Sequence, residues 1–200
     1  MPCRNHWHPY SILKESVVRD NHSMSFVEQN CIIPSPNLMG SKALRGNPIA
    51  VFTRLALAEG YEAEAFSDNE IELSLPGEWC DHTLSLIWNP KTERLQGFLM
   101  FYNKAPMGRH DDIFKLMSLI NESLTAGHLE FSTKQKSLIF RHTVSLNGGA
   151  SLSIEQAMDF VACAINAAEQ AYPACQYMIW AGKSPEEALN NAHMDVSLYP

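Results

Sequence analysis

Alternation of apolar and polar residues in the middle of the chain is the strongest constraint on its fold. Ile71, Leu73 and Leu75 alternate with polar residues up to Pro76-Gly77, and residues 82–88 alternate in the same way. Because successive side chains of a β-strand point to opposite faces, this pattern predicts strands with one buried face. Residues 95–102 form a third run that is apolar on both faces, which is typical of a central strand. We therefore expect three antiparallel strands here.

Helical periodicity flanks these strands. Asn47-Pro48 is a typical helix start, and apolar residues then recur at helical spacing over residues 49–56. After the strands, an apolar stripe predicts a helix over about residues 109–126, and residues 129–146 read as a hairpin around a polar turn. With two further helices near the C-terminus, the order is α-βββ-α-ββ-α-α. This order predicts a two-layer α+β fold, with an antiparallel sheet of about five strands and helices packed on one face.

The longest predicted helix begins near Ser153 and is apolar nearly all round. Such a helix is covered on more than one side, either by a second layer of the same chain or by a partner subunit. We expect a partner subunit, and hence a homodimer. A last short helix begins at the capping box of residues 184–187. The side chains expected to be buried include Trp88, Phe101, Phe140, Ile165 and Tyr172.

The chain divides near Gly46. Residues 1–46 contain four prolines, no sustained periodicity and a net charge of +2, whereas the whole chain has a net charge of −7. We expect residues 1–46 to form a poorly ordered or loosely packed N-terminal extension, and residues 47–200 to form the domain. Met24 is an alternative start for the chain. The acidic charge of the body argues against a nucleic-acid partner.

The cysteine content and the hydropathy predict a cytoplasmic protein without a membrane partner. Five cysteines are an odd number without a repeated short spacing, which is typical of reduced thiols rather than a disulfide framework. No stretch approaches the roughly 18 to 20 apolar residues of a membrane span. Residues 1–14 also lack the continuous apolar core of a signal peptide.

The polar residues do not form a pattern typical of an enzyme. Eight histidines are present, but neither CxxC nor HExxH occurs, so we expect no metal and no cofactor. The Gly182-Lys183-Ser184 sequence lacks the first glycine of a phosphate-binding loop, because Tyr177 stands in its place. Cys80 and His82 could pair as a nucleophile and its base, although Cys80 is expected to end a turn. We therefore expect no catalytic activity.

The hairpin places its polar residues on defined faces. Pairing Leu129 with Phe140 puts His128 and Arg141 on one face of the sheet and His142 on the other. Arg141 could anchor an acidic group of a partner or form a local ion pair with a neighbouring glutamate. An alternative function is a small-molecule sensor or a cryptic enzyme. Its pocket would lie near His82, His128, Arg141 and His142.

Several short motifs resemble the YbjN-domain family, labelled as bacterial sensory transduction regulators. The motifs are residues 119–124 (LINESL), 127–129 (GHL), 140–142 (FRH), 172–176 (YPACQ) and 180–188 (WAGKSPEEA). The resemblance begins at Asn47 and leaves residues 1–46 outside. The chain departs from the family's pattern at Thr125 and Ala181, where a tryptophan and a glycine are usual.

The resemblance implies a fold similar to that of type III secretion chaperones, which commonly dimerise and bind other proteins. It implies no catalytic residues. The hypothesis is therefore a non-enzymatic cytoplasmic regulatory or adaptor protein that binds a protein partner. The residues expected to contact this partner are His128, Arg141, Ile165 and Tyr172.

Overall fold

The computed structural model describes residues 46–101 and 109–196. The predicted extension, apart from Gly46, and the alternative start at Met24 lie outside the described residues, so the predicted domain boundary stays a prediction. No helix within the described ranges combines the length and the apolar character that a membrane-spanning helix requires.

Five helical segments and six strands make up the described part of the chain. In chain order they are α1 (Ile49–Glu59), β1 (Glu62–Ser67), β2 (Glu70–Leu75), β3 (His82–Asn89), β4 (Arg94–Met100), α2 (His110–Ser123), β5 (His128–Ser132), β6 (Ser137–Ser145), a 3-10 turn (Asn147–Gly149), α3 (Ile154–Ala181) and α4 (Pro185–Val196). The strands form one antiparallel sheet in the order β1-β2-β3-β4-β6-β5. The predicted two-layer α+β fold is confirmed.

The sheet has six strands rather than the predicted five or so, because β1 was not recognised. The sequence of β1, Glu-Ala-Glu-Ala-Phe-Ser, alternates glutamate with alanine and offers little apolar side chain to bury. In the structure it pairs with β2, so that Ala63 lies opposite Leu73 and Ala65 opposite Ile71. β1 forms through backbone pairing with β2, and the sequence pattern of six residues does not indicate such pairing.

Local side-chain signals set the helix boundaries. Ser153 caps α3 in a reciprocal capping box with Gln156, and Ser184 and Glu187 bond each other's backbone N–H groups at the start of α4. Gly60, with a φ of 74°, ends α1 in a left-handed conformation that favours glycine. Helix α2 ends at Ser123, three residues before the predicted end, because Leu124 is already extended.

The core lies between the sheet and the helices. The inward side chains of β2, β3 and β4 are almost fully buried, and Phe52 of α1 meets Phe160 of α3 edge to face at 5.7 Å. Of the five side chains that were predicted to be buried, Trp88, Phe101 and Phe140 are buried. Ile165 and Tyr172 are only half-buried, and both pack against the core.

The long helix α3 is covered by other elements of its own chain. It packs against β3 and β6 on one side, and α1, α2 and α4 contact it on others. Its alanines at 164, 167, 168, 171 and 174 are fully buried, whereas Met158 and Trp180 are exposed. The inference of a partner subunit from the apolar character of this helix is therefore wrong. The homodimer itself stays a prediction.

Candidate functional site

The two edges of the sheet differ in how their backbone groups are used. At β5, the side chain of Asn121 from α2 bonds the backbone of Leu129 twice. The Leu129 N–H donates to Asn121 Oδ1 at 2.7 Å, and Asn121 Nδ2 donates to the Leu129 carbonyl at 3.1 Å. This side-chain amide takes the place of a neighbouring strand and closes the β5 edge at that residue.

The outer edge of β1 pairs with no strand among residues 46–101 and 109–196, and it is called the open edge below. Within the described part of the chain, β1 pairs with β2 alone and lies at the end of the sheet. Five of its six residues are exposed, and Phe66 is half-buried. An exposed strand edge of this kind can pair with another extended segment. Sequence reasoning missed this site because it missed the strand.

Four glutamates lie at this end of the sheet, on the face that points away from the helices. Glu64 of β1 lies opposite Glu72 of β2, and Glu62 and Glu70 hold alternate positions on the same two strands. Burial raises the pKa of Glu72, and the charges of Glu64 and Glu70 raise it further, although a hydrogen bond from the Ser85 hydroxyl lowers it. The open edge therefore lies beside a surface that attracts positive charge.

At the other end of the same face, the predicted pairing of the hairpin is confirmed. His128 lies opposite Arg141, and Leu129 lies opposite Phe140. The Arg141 guanidinium donates from Nε and Nη2 to Glu130 Oε1 at 3.0 and 2.6 Å, and its carbon lies 4.4 Å from the centre of the Phe98 ring. Arg141 therefore forms the local ion pair that was one of the two expected roles.

The structure does not bring His82, His128, Arg141 and His142 into one pocket. His142 lies on the helix side of the sheet, with its ring centre 4.5 Å from that of Phe160, and burial is the main cause of its lowered pKa. His82 is buried on β3, two strands away from β6. The pocket proposed from the sequence is therefore wrong as a single site.

Ile165 and Tyr172 lie near His82 rather than near His128. The Tyr172 ring meets the His82 ring edge to face at 6.2 Å, and Ile165 lines a cleft of about 340 Å³. The four residues expected to contact a partner thus form two separate pairs, His128 with Arg141 and Ile165 with Tyr172. Their role in binding stays a prediction. Among the described residues, no group of three or more His, Cys, Asp or Glu side chains is suited to hold a metal ion.

Comparisons with known proteins give a family match and a similarity to solved structures. Residues 48–177 match the YbjN family, described as "Putative bacterial sensory transduction regulator". A comparison with curated proteins finds no significant match. A chain of the crystal structure of the ExsC–ExsE complex is similar with a TM-score of 0.40 and 15% identity, over 57% of this chain and 82% of that chain. The family match spans every strand of the sheet and most of α3.

Proposed function

This chain belongs to the YbjN family, and from that premise we propose that it is a cytoplasmic, non-enzymatic regulatory or adaptor protein. We propose that it binds an extended segment of a partner protein, which adds as a strand to the outer edge of β1. The family description supports a regulatory role. The open edge supports the mode of binding.

The observation that carries this proposal is the contrast between the two sheet edges. The β5 edge is closed at Leu129 by the Asn121 amide, whereas β1 has no neighbour on its outer side among the described residues. The outward N–H and C=O groups of an edge strand can bond the backbone of an added strand. The six-residue length of β1 is close to that of an ordinary strand.

The glutamates beside this edge define the chemistry of the partner segment. Side chains directly opposite one another on neighbouring strands lie about 4.5–5.5 Å apart at Cβ, so an added strand would place alternate side chains beside Glu62 and Glu64. Lysine or arginine at these positions would pair with the carboxylates, and acidic side chains would be repelled. The proposed partner segment is therefore extended, with basic residues at alternate positions.

The same charges disfavour pairing of β1 with a second copy of itself. Two such edges would bring glutamates of the two copies close together, and like charges on facing positions destabilise a strand pair. A homodimer, which we retain as a proposal, would therefore use another surface. Light scattering at micromolar concentration tests it, because a mass of one chain would contradict the dimer.

Synthetic peptides test the strand addition directly. We expect a ten-residue peptide of alternating Lys and Val to slow amide hydrogen exchange in β1, and a peptide of alternating Glu and Val to leave it unchanged. The double variant Glu62→Lys/Glu64→Lys should lose the response to the Lys peptide. The matched control Glu122→Lys/Glu155→Lys, which changes two exposed glutamates on α2 and α3, should keep it.

The outcomes distinguish strand addition at β1 from a non-specific electrostatic attraction between the peptide and the protein. Protection confined to β1, and lost only in the double variant, supports the proposal. Equal protection with both peptides, or protection at β5 instead of β1, would contradict it. The Glu122→Lys/Glu155→Lys control changes the net charge by the same amount, so it excludes a loss that is caused only by the change in net charge.

A further inference from the structure

Cys80, His82 and Glu169 lie in a row at the margin between the sheet and α3. The Sγ atom of Cys80 is 4.0 Å from His82 Nδ1, and His82 Nε2 is 3.3 Å from Glu169 Oε1. Cys80 lies in the bend before β3 and is partly exposed, whereas His82 is buried. A thiol, an imidazole and a carboxylate in this order form the arrangement that activates a cysteine for nucleophilic attack.

The carboxylate of Glu169 determines which nitrogen of the His82 imidazole carries the proton. Glu169 can only accept a hydrogen bond when it is ionised, so His82 must carry a proton on Nε2 to bond it. In the neutral imidazole, Nδ1 then has a lone pair, and this is the nitrogen nearest to Cys80 Sγ. His82 can thus accept the thiol proton at Nδ1, and Glu169 stabilises the resulting imidazolium.

The loop before β3 is packed closely onto this row. The Glu78 N–H donates to Glu169 Oε1 at 3.1 Å. A Cβ atom on Gly77 would overlap Glu169 Oε1, the Cys80 carbonyl and the His82 ring, so this position needs glycine. The second oxygen, Glu169 Oε2, is buried without a hydrogen-bond partner among the described residues. The positive charge of a protonated His82 would stabilise this carboxylate.

A cleft of about 340 Å³ lies beside the row. Its described lining residues are Pro76, Gly77, Glu78, Ile165 and Glu169, and the two charged ones among them are acidic. We propose that Cys80 is a reactive thiol that forms a mixed disulfide with cationic disulfides of low molecular mass, whose cationic arm occupies this cleft. The proposal does not depend on strand addition at β1.

The reaction is a thiol–disulfide exchange. His82 Nδ1 takes the thiol proton, and the Cys80 thiolate attacks one sulfur of the disulfide R–S–S–R. The new Cys80–S–S–R bond forms as the old S–S bond breaks, and its electron pair leaves on R–S⁻, which takes the proton from the imidazolium. Cys80 is oxidised, the departing sulfur is reduced to the thiol R–SH, and a reducing thiol reverses the step.

The other described cysteines serve as internal controls. Burial raises the pKa of Cys175 to about 12. Burial also raises the pKa of the Cys163 thiol, as does the Asp159 charge, although a hydrogen bond with Thr125 partly offsets them. Both should therefore react slowly, because the thiolate is the reacting form.

The pH dependence of the reaction reports the role of His82. Within the described part of the chain, the other titratable groups near the row include Glu78 and Asp81 of the loop and Tyr172 of α3. The two carboxylates disfavour the thiolate, whereas an imidazolium in direct contact favours it. We expect the rate of Cys80 to rise with pH around a midpoint below the ordinary value of about 8.5.

The experiment treats the full chain with cystamine, a disulfide with two ammonium groups, and maps the modified peptides by mass spectrometry across pH 5 to 10. We expect Cys80 to react roughly tenfold faster than Cys163 at pH 7. The rate with each disulfide is divided by the rate of a small model thiol with the same disulfide. On this scale, Cys80 should react several times faster with cystamine than with the neutral 2-hydroxyethyl disulfide. A Cys80 rate equal to that of Cys163, or a midpoint at the ordinary value, would overturn the proposal.

Two variants separate activation from folding. Glu169→Gln keeps a hydrogen-bond acceptor for His82 but removes the charge, and His82→Gln removes the base. Both should move the midpoint for Cys80 toward the ordinary thiol value, and circular dichroism checks that they fold. If either variant unfolds, the pH profile and the cystamine preference of the wild-type chain still decide the outcome. An unchanged midpoint in a folded variant would contradict the role of that residue.

Discussion

At the scale of single residues, Glu72 combines burial with electrostatic repulsion. Its carboxyl lies on the face of the sheet that points away from the helices, near Glu64 and Glu70, and Ser85 donates a hydrogen bond to it at 2.6 Å. Burial is the largest cause of its raised pKa. The unfolded chain lacks this environment, so the folded state binds the Glu72 proton more tightly than the unfolded state does.

The first prediction concerns the pH dependence of stability. Because the folded pKa of Glu72 is raised, its contribution to stability is lost as pH rises from the ordinary value through the raised one. Glu72→Gln keeps an oxygen for Ser85 and removes the charge. We expect the variant to melt at a higher temperature than wild type at pH 7, and this gain to vanish at about pH 4. Calorimetry measures the melting temperatures at both pH values, and Glu122→Gln is the control. An increase in melting temperature that does not depend on pH, or that equals the increase in the control, would contradict the prediction.

Residue pairs near in sequence or matched in a hairpin were predictable, and distant pairs were not. The pairing of Leu129 with Phe140 follows from apolar residues that must share a face, so it also placed His128 beside Arg141. The contact of His82 with Glu169 joins residues 87 positions apart. No spacing within either segment indicates that contact.

At the scale of elements, one side chain of α2 hydrogen-bonds the backbone of β5. Asn121 lies in the last turn of α2, and its amide both donates to and accepts from the Leu129 backbone. The two bonds fix the position of β5 relative to the helix that precedes it. At the other end of the sheet, β1 pairs with β2 alone among the described strands.

The second prediction tests this connection. Asn121→Ala removes both bonds and leaves two polar groups of a partly buried strand without their partner, so we expect a loss of about 1–3 kcal/mol in the free energy of unfolding. Denaturant unfolding measures the loss, and hydrogen exchange should show faster exchange of the Leu129 amide. Asn190→Ala, at an exposed position of α4, is the control and should change neither quantity. Equal effects of the two variants would contradict the role of Asn121.

At the scale of the whole molecule, the helix layer approaches the sheet closely at Gly97. A Cβ atom at this position of β4 would lie 2.5 Å from Cε1 of Phe160 on α3 and 3.3 Å from Cδ2 of Leu86. The backbone of Gly97 itself does not require glycine, since its φ is not in the left-handed region. Glycine at position 97 therefore allows α3 to pack this closely against the sheet.

The third prediction follows from this packing. Gly97→Ala should lower the free energy of unfolding by roughly 1–3 kcal/mol, because the added methyl group overpacks the interface between sheet and helix. Phe160→Leu in the same chain should recover part of the loss. Gly46→Ala is the control, since no atom lies within 4 Å of its added Cβ. A Gly97→Ala variant as stable as the control would show that α3 can shift without cost.

The sequence alone determined much of the local structure of this protein: five of its six strands, the capped starts of α3 and α4, the pairing of its last hairpin and its family. These depend on periodicity, on capping residues and on apolar residues that must share a face, all of which act over short stretches of chain. Only the tertiary structure decided the place of β1, the cover of α3 by its own chain, the closing of β5 by Asn121 and the row from Cys80 to Glu169. Each of these depends on segments distant in sequence that meet only when the chain has packed.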